Sequence, residues 1–185
     1  MTSEQKKTKV INLIGGPGAG KTVTAALLFA RLKILGKSAE YIQEVAKTLV
    51  WTKQFDAINN QHALSNKQYK ILKMINGNVD YIITDGPLLN GLYYNQHNPD
   101  NVCDIAKTEK FIMQWYNEFE NINLYLIRGD FTYEQAGRMQ TEKEALEIER
   151  TLQMILDNKS IPYKEFTTDI ANIDNMIKYI LSNHS

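Results

Sequence analysis

Eight consecutive residues near the start of the chain have types and spacing that suit the binding of phosphate groups. They are Gly15, Gly16, Pro17, Gly18, Ala19, Gly20, Lys21 and Thr22. The run matches G-x-x-x-x-G-K-[ST] in full, and it follows an apolar strand pattern and opens a helical one. Its glycines let backbone N–H groups converge on phosphate oxygens, to which the helix N-terminus adds its positive dipole. Lys21 is then placed to reach the β- and γ-phosphates of ATP, and the Thr22 hydroxyl is placed to bind Mg²⁺.

The same motif occurs in GTPase switches, ATPase motors and kinases, and other residues discriminate among these classes. Residues 66–69 (Asn-Lys-Gln-Tyr) lack the aspartate of a base-reading Asn-Lys-x-Asp motif. A D-x-x-G switch that begins at Asp85 would need a glycine where Leu88 stands. Motor ATPases usually end the corresponding strand in two acidic residues, and here Asp85 is the single acid. The class that remains is a small phosphotransferase, which needs a carboxylate, an arginine-bearing lid and an acceptor pocket.

Two carboxylates are candidates for the chemistry of transfer. Glu44 follows the second predicted strand and Asp85 follows the third. In a parallel sheet both lie at the carboxyl ends of strands, beside the phosphate loop, where ligands bind. We expect Glu44 to be the general base and Asp85 to hold Mg²⁺ directly or through water, although the two roles could be exchanged. The alternatives are that Glu44 stabilises a helix dipole and that Asp85 is a turn residue.

Two of the four arginines lie where a lid over the γ-phosphate would be expected. Arg128 ends the fourth predicted strand, and Arg138 follows within a lid segment at about residues 129–140. A mobile arginine there would neutralise the charge that develops during transfer. The alternative is a surface ion pair with Glu142 or Glu144, which would contribute little energy.

The sequence features that indicate an acceptor pocket are weaker than those of the phosphate loop. Gln61 and Gln68 lie on the helical segment before the third strand, and Gln68 is predicted to bind the edge of a nucleobase. Aromatic side chains are candidates for stacking on that base. They are Trp51, Phe55, Tyr93 and Tyr94, of which the two tyrosines are retained as predicted substrate contacts. Ordinary packing of amphipathic aromatic residues is the alternative for each.

Segments of strand and helix character alternate along the chain, which predicts a three-layer α/β fold with a parallel sheet. Five apolar or β-branched runs are predicted as strands, over residues 10–14, 38–43, 79–84, 122–127 and 163–167. Helices are predicted over residues 22–35, 44–51, 59–75 and 104–119, after a capping box of Thr141 with Glu144, and along the apolar stripe of residues 173–181. Residues 85–100 are predicted to form a long loop.

The composition limits the classes of protein further. The 185 residues are expected to form one domain, and 43% hydrophobic residues are enough for a core. The formal net charge of zero excludes binding of nucleic acid by bulk charge alone. The single cysteine, Cys103, the polar N-terminus and the absence of a long apolar run predict a cytoplasmic protein without a membrane span. The lysine-rich usage is typical of an AT-rich genome, which predicts a bacterial or phage-infected cell.

The order of these features resembles that of the P-loop kinases of small molecules, in particular the nicotinamide riboside kinase-like and nucleoside or nucleotide kinase-like branch. The resemblance rests on the strand, the GGPGAGKT loop and its helix, then Glu44, the Asp85-Gly86-Pro87 turn, and Arg128 and Arg138 before a capped helix. It covers about residues 9–167. It implies a P-loop NTPase fold whose five parallel strands have the order 2-3-1-4-5, with helices on both faces and a short lid.

The resemblance also implies Mg-ATP as the phosphoryl donor and a hydroxyl group as the acceptor. By position, Glu44 matches the acid after the second strand, Asp85 the acid after the third, and Arg138 the lid arginine. The sequence has no arginine between residues 32 and 127, where nucleoside monophosphate kinases commonly hold the acceptor phosphate. That departure favours a neutral acceptor such as a nucleoside.

The identity of the acceptor and the partner are left open at this point. The acceptor is either a free nucleoside or nucleotide or a hydroxymethylated base in DNA, the substrate of some small phage kinases. For DNA, three lysines would supply a local basic face; they are Lys67, Lys70 and Lys73. A homodimer is also left open. The alternative function is a regulatory NTP-binding ATPase module that acts through a protein partner.

Overall fold

A computed structural model describes residues 7–130, 133–134 and 140–182 of the chain. Five strands are present in these ranges: β1 (Lys9–Ile14), β2 (Ala39–Ile42), β3 (Tyr81–Thr84), β4 (Glu120–Ile127) and β5 (Lys164–Thr167). The helices are α1 (Lys21–Ile34), α2 (Val45–Trp51), α3 (Phe55–Ile58), α4 (Gln61–Ile75), α5 (Asn90–His97), α6 (Ile105–Tyr116), α7 (Glu142–Asn158) and α8 (Ile173–Ser182). A single 3₁₀ turn, Ile170–Asn172, precedes α8.

The five strands form one parallel sheet in the order β2-β3-β1-β4-β5, which confirms the predicted fold class and strand order. In the register, Asn12 lies opposite Thr84, and Thr84 lies opposite Ile42. The chain therefore leaves β1, β2 and β3 at the same edge of the sheet. This edge brings the phosphate loop, Glu44 and Asp85 together, as parallel topology requires.

Helices cover both faces of the sheet. Helices α4, α5, α6 and α7 pack on the face that carries Val10, Ile14 and Ile82. Helices α1 and α8 pack on the opposite face, against Ile11 and Leu124. Both faces of the central strand are therefore buried, as is expected for an all-parallel sheet.

A polar network of three asparagines lies in the sheet between β1 and β4. The Asn12 Nδ2 atom donates hydrogen bonds to Asn121 Oδ1 at 2.9 Å and to Asn123 Oδ1 at 3.0 Å. Asn123 in turn donates to the Tyr116 hydroxyl and to the Pro162 carbonyl. Asn12 and Asn123 are 2% and 5% exposed, so these amides find their partners inside the protein, as buried polar groups must.

The prediction that residues 85–100 form a long loop is wrong, because α5 occupies Asn90–His97. The asparagines and Gly91 in this segment have low helix propensity, which concealed the helix from sequence reasoning. Burial overrides that propensity, since Leu92 is fully buried and α5 contacts α4, α6 and α7. The Asn95 amide also donates to the Ile105 carbonyl, which fixes α5 against the start of α6.

The helix boundaries follow local capping. Helix α4 begins at Gln61 rather than at residue 59, because the Asn60 side chain accepts a hydrogen bond from the Ala63 N–H. The predicted capping box of α7 is confirmed, since Thr141 and Glu144 bond reciprocally.

The predicted lid segment lies largely outside the described residues. Among the described residues, no helix is long and apolar enough to cross a membrane.

Candidate active site

The phosphate loop joins β1 to α1 in a conformation that requires glycine. Gly18 and Gly20 have φ values of 77° and 81°, in the left-handed region that favours glycine. At Gly16, an added Cβ atom would lie 2.7 Å from the Ala145 carbonyl oxygen, so a larger residue would push α7 away. Lys21 Nζ donates to the Gly15 and Gly16 carbonyls at 2.9 and 2.7 Å. The Lys21 ammonium thus bonds to the first two carbonyls of the loop.

The Asp85 carboxylate connects the phosphate loop to the end of β2. Its Oδ2 atom accepts hydrogen bonds from the Thr22 hydroxyl at 2.7 Å and from the Tyr41 hydroxyl at 2.8 Å. Its Oδ1 atom accepts from the Glu44 backbone N–H at 2.9 Å. Asp85 is 2% exposed, and these three donors satisfy a buried charge that would otherwise be costly.

Thr22 and Asp85, the predicted metal ligands, fit Mg²⁺ by their chemistry. A hydroxyl oxygen and carboxylate oxygens are the hard donors that Mg²⁺ prefers, and in the structure they lie within hydrogen-bonding distance of each other. Among the described residues, no group of three or more His, Cys, Asp or Glu side chains could hold a metal ion alone. A magnesium ion here would therefore take its remaining ligands from nucleotide phosphates and water, as is usual for Mg²⁺.

Glu44 lies at the N-cap position of α2, yet its side chain makes no capping hydrogen bond. The carboxyl group is half-buried and lines a pocket beside the phosphate loop. Burial is the largest influence on the pKa of Glu44 and raises it above its ordinary value. The nearby charge of Asp85 also raises this pKa, whereas the charges of Lys21 and Lys47 lower it. The net direction is upward, which makes Glu44 a stronger proton acceptor than an exposed carboxylate.

A pocket of about 460 Å³ opens between the phosphate loop and helices α2, α4 and α5. Lys21 and Glu44 lie on its wall together with Gln61, Asn90 and Tyr94. The volume is in the range of small-molecule sites. The pocket thus places a phosphate-binding cation and a carboxylate of raised pKa around the same space.

The structure places the predicted aromatic contacts in different environments. Tyr94 lines the pocket, and burial, followed by the charge of Glu44, raises its pKa above the ordinary value. Tyr93 stacks instead on His97, with ring centroids 4.7 Å apart, and is outside the set of described residues that line the pocket. Trp51 lies at the pocket wall and is 63% exposed. Phe55 lies outside that wall as well.

Gln68 reaches the pocket wall, but both ends of its amide are bonded to protein atoms. The Oε1 atom accepts from the Val45 N–H at 3.2 Å. The Nε2 atom lies 3.2 Å from Thr84 Oγ1 and 3.4 Å from the Gln43 carbonyl, and donates to both. This arrangement differs from the predicted contact to a nucleobase edge, because the amide is committed to the turn that carries Glu44.

Arg128 contacts the outer side of the phosphate loop. It donates to the Pro17 carbonyl at 2.9 Å and to the Gly18 carbonyl at 3.3 Å. Its acidic partner is Glu149, at 2.6 Å, rather than Glu142 or Glu144. The structure thus places Arg128 against the loop and beside Glu149.

The other predicted arginine, Arg138, lies outside the described residues. The described part of the surrounding segment reaches the phosphate loop through Tyr133, whose ring lies under the Arg128 guanidinium with a centroid distance of 5.4 Å.

Sequence reasoning missed three residues of this site. Tyr41 bonds to Asp85, and Asn90 donates to the Gly15 carbonyl at 3.3 Å. Neither position carries a motif that would distinguish it from an ordinary core residue. Lys47 does carry a signal, since it lies three residues after Glu44 and therefore on the same side of α2. Its Nζ atom lies 3.5 Å from the Thr22 hydroxyl.

Replacing Glu44 by Gln is expected to raise the melting temperature at neutral pH. The pKa of Glu44 is raised in the folded protein, so folding favours the protonated carboxyl. This preference stabilises the protein at pH values below the ordinary pKa of 4.5. That stabilisation is lost as pH rises through the folded pKa, and Glu44→Gln avoids the loss. Thermal melts at pH 7 and below about pH 4 should therefore show a stabilised variant only at pH 7. An equal shift at both pH values would contradict this account.

Replacing Gly86 by Ala is expected to lower the free energy of unfolding by about 1–3 kcal/mol. The new Cβ atom would lie 2.6 Å from the Glu44 Cα atom, so the backbone of the turn would have to move. Gly91→Ala is the matched control, because its nearest neighbours are the ends of the Gln61 and Ser65 side chains, which can rotate away. Urea denaturation should show a change of less than about 1 kcal/mol for this control. Equal losses in the two variants would argue against the steric explanation.

Comparisons with known proteins give the family and the fold of the chain. A family model described as an AAA domain matches residues 10–172, which is most of the chain. The search of the curated proteins gave no match.

Several solved structures share the fold. The YorR protein of Bacillus subtilis, in complex with phosphorylated GDP, aligns with a TM-score of 0.59 and 19% identity over 94% of each chain. The deoxyadenosine kinase of M. mycoides, with dCMP and dCDP bound, aligns with a TM-score of 0.60 and 20% identity over 94% of this chain and 97% of the kinase. The NadR protein, in complex with NAD and AMP-PNP, aligns with a TM-score of 0.65 and 16% identity over 93% of this chain and 49% of NadR.

At these identities the alignments establish the fold, and the family match establishes the relationship. The phosphate loop lies within the matched residues and has the geometry described above. The chain therefore belongs to the AAA-domain family of P-loop proteins, and its fold is the nucleotide-binding fold that it shares with deoxyadenosine kinase.

Proposed function

We propose that this protein is an ATP- and Mg²⁺-dependent phosphotransferase that moves the γ-phosphoryl group to a hydroxyl of a free, nucleoside-like acceptor. The observation that carries the proposal is that Lys21 and Glu44 line one pocket of about 460 Å³. A site that only binds a nucleotide has no need of a half-buried carboxylate of raised pKa in the pocket beside its phosphate loop. Transfer to a hydroxyl does need one.

The names of the structural neighbours support a small nucleotide or nucleoside as the ligand. One neighbour is a deoxyadenosine kinase, and the other two were solved with phosphorylated GDP and with NAD and AMP-PNP. None of these three names mentions a nucleic-acid acceptor. The hydroxymethylated DNA base is therefore retained only as an outcome of the assay below.

The proposed roles follow from the positions of the side chains. The phosphate loop and Lys21 bind the ATP phosphates, and Thr22 and Asp85 would hold Mg²⁺. The ion, when bound, would neutralise charge on the β- and γ-phosphates. Glu44 orients the acceptor hydroxyl and takes its proton. Most of the rate enhancement would then come from positioning and from electrostatic stabilisation.

The pocket wall favours a neutral acceptor. Among the described residues that line it, the cations are Lys21 and Lys47, and both lie beside Glu44 and the phosphate loop. Helix α4 contributes Gln61 and Ser65 to the wall, and the Gln61 amide donates to Ser65 Oγ at 2.9 Å. Tyr94 supplies an aromatic surface. These groups suit the hydrogen-bonding edge and the face of a nucleobase better than a second phosphate group.

The proposal also assigns a role to each of the two predicted arginines. Arg128 holds the phosphate loop from outside, and Arg138 is proposed to approach the γ-phosphate from the lid. Loss of the Arg138 guanidinium should lower the transfer rate if it stabilises charge in the transition state.

The first test is transfer of label from γ-labelled ATP, with Mg²⁺, to a panel of nucleosides, nucleoside monophosphates, nicotinamide riboside and hydroxymethylated DNA. We expect one neutral nucleoside-like compound to be labelled. Lys21→Ala should reduce transfer by about 10²- to 10³-fold or more, because it removes a cation from the developing charge. Arg31→Ala is the control, since it removes a cation whose partner is Asp174 on the surface.

The same assay discriminates against the two rival functions. Label that appears only on hydroxymethylated DNA would replace the free acceptor with a nucleic-acid acceptor. Label released only as free phosphate, whatever acceptor is added, would favour a regulatory ATPase module and would overturn the proposal.

Glu44→Gln should lower kcat by about 10²- to 10⁴-fold, because the amide cannot accept the proton of the attacking hydroxyl. ATP affinity, measured by calorimetry in the presence of Mg²⁺, should stay close to that of the wild type. Comparable losses of ATP binding and of kcat would instead assign Glu44 to the metal site and exchange its role with that of Asp85.

A further inference from the structure

We propose that Gln68 is a positioning residue, which holds the backbone on both sides of Glu44 and so fixes the proton-accepting carboxylate. The inference rests on the proposed function and deepens it. It also replaces the predicted role of Gln68 as a contact to a nucleobase. The argument starts from the way in which α2 begins.

Helix α2 begins without the usual side-chain cap. The first N–H groups of a helix have no partner inside the helix, and the N-cap residue normally supplies one from its own side chain. Here the N-cap residue is Glu44, and its side chain accepts no such bond. Two other residues accept the N–H groups of Glu44 itself and of Val45, which precede the N2 and N3 groups that an N-cap side chain normally satisfies. Asp85 Oδ1 accepts the Glu44 N–H at 2.9 Å, and Gln68 Oε1 accepts the Val45 N–H at 3.2 Å.

The Glu44 carboxylate lies at the pocket wall and makes no capping hydrogen bond. Its position therefore depends on the backbone that carries it. Asp85 and Gln68 hold that backbone through the N–H groups of Glu44 and Val45. Without the Gln68 carbonyl, the Val45 N–H would lose its acceptor, and the first turn of α2 would be free to shift.

The other end of the Gln68 amide holds the other side of Glu44. The Nε2 atom donates to the Gln43 carbonyl and to Thr84 Oγ1, and Thr84 Oγ1 also accepts from the Gly86 N–H at 3.2 Å. The network therefore reaches from α4 through the turn to the end of β3. Gln68 is 5% exposed and Thr84 is fully buried, so water is largely excluded from the bonds to Thr84, whereas the bonds to Gln43 and Val45 are partly buried. Such bonds define one conformation of the turn.

An amide with these partners has few hydrogen-bonding groups left for a substrate. Its carbonyl oxygen is bonded to Val45, and its two N–H groups face two acceptors. Its effect on catalysis would therefore pass through Glu44. A displacement of about 1 Å in a reacting group can cost about 10²-fold in rate.

The test compares the kinetics of Gln68→Met with those of the wild type on the acceptor identified by the labelling panel. Methionine keeps the length of the buried side chain and removes all of its hydrogen bonds. We expect kcat to fall by about 10- to 100-fold, while the acceptor KM and the preference among nucleobases change by less than about 3-fold. A raised acceptor KM, or a changed base preference with kcat intact, would overturn the proposal and restore the base-reading role.

A second variant, Gln68→Glu, separates the two ends of the amide. It keeps an acceptor for the Val45 N–H and loses the donor to the Gln43 carbonyl. We expect kcat to fall less than in Gln68→Met, while the acceptor KM again changes by less than about 3-fold. A raised acceptor KM with kcat intact would overturn the proposal.

A third measurement is independent of transfer activity. Amide hydrogen exchange at Val45 should accelerate in Gln68→Met, because its acceptor is removed. Gln153→Met is the matched control, since it makes the same substitution in an amide that bonds to Tyr163 and Glu165 rather than to the turn. Protection of Val45 that is unchanged in Gln68→Met would overturn the proposal. If the wild type phosphorylates no acceptor, the proposed function fails, and exchange at Val45 still decides whether Gln68 fixes the turn.

Discussion

One buried carboxylate determines how the parts of the site meet. Asp85 accepts hydrogen bonds from Thr22 on the first helix, from Tyr41 on the edge strand and from the backbone of Glu44. These groups come from two separate segments, the start of α1 and the end of β2 with the turn that follows it, and a buried ionised carboxylate is tolerated only when its oxygens are satisfied. The segments are therefore constrained to meet at Asp85. The relative positions of the phosphate loop and of the acceptor-side acid follow from that constraint.

The phosphate loop is held from both sides by donors to its carbonyl groups. Lys21 and Asn90 donate to the Gly15 carbonyl, and Lys21 and a backbone N–H donate to that of Gly16. Arg128 donates to the next two carbonyls, those of Pro17 and Gly18. Four successive carbonyl oxygens are thus directed at protein donors. A loop ordered in this way presents its N–H groups, rather than its carbonyls, to an anion.

Much of the fold and part of the site were predictable from the sequence, for physical reasons that differ from residue to residue. The phosphate loop is a local feature, since its glycines and Lys21 act within a few residues of one another. From the sequence, Gln68 shows only its hydrogen-bonding capacity, because its partners are two backbone groups more than 20 residues away and the Thr84 hydroxyl 16 residues away. Tyr93 and Tyr94 are neighbours in sequence, but they point in different directions on α5, a helix that low propensity concealed. The partner of Arg128 was also beyond sequence reasoning, because Glu149 lies two turns after the acids considered for it.

The asparagines between β1 and β4 have a consequence for the uniqueness of the sheet. Both faces of β1 are apolar, so a slip of one residue along β4 would still bury hydrophobic side chains on each face. Hydrophobicity alone therefore discriminates poorly between alternative pairings of these two strands. The amide of Asn12 removes that ambiguity, since only the native alignment gives it both Asn121 and Asn123 as partners. A polar group that contributes little net stability thus sets the alignment of the strand that carries the phosphate loop with the strand that leads to Arg128.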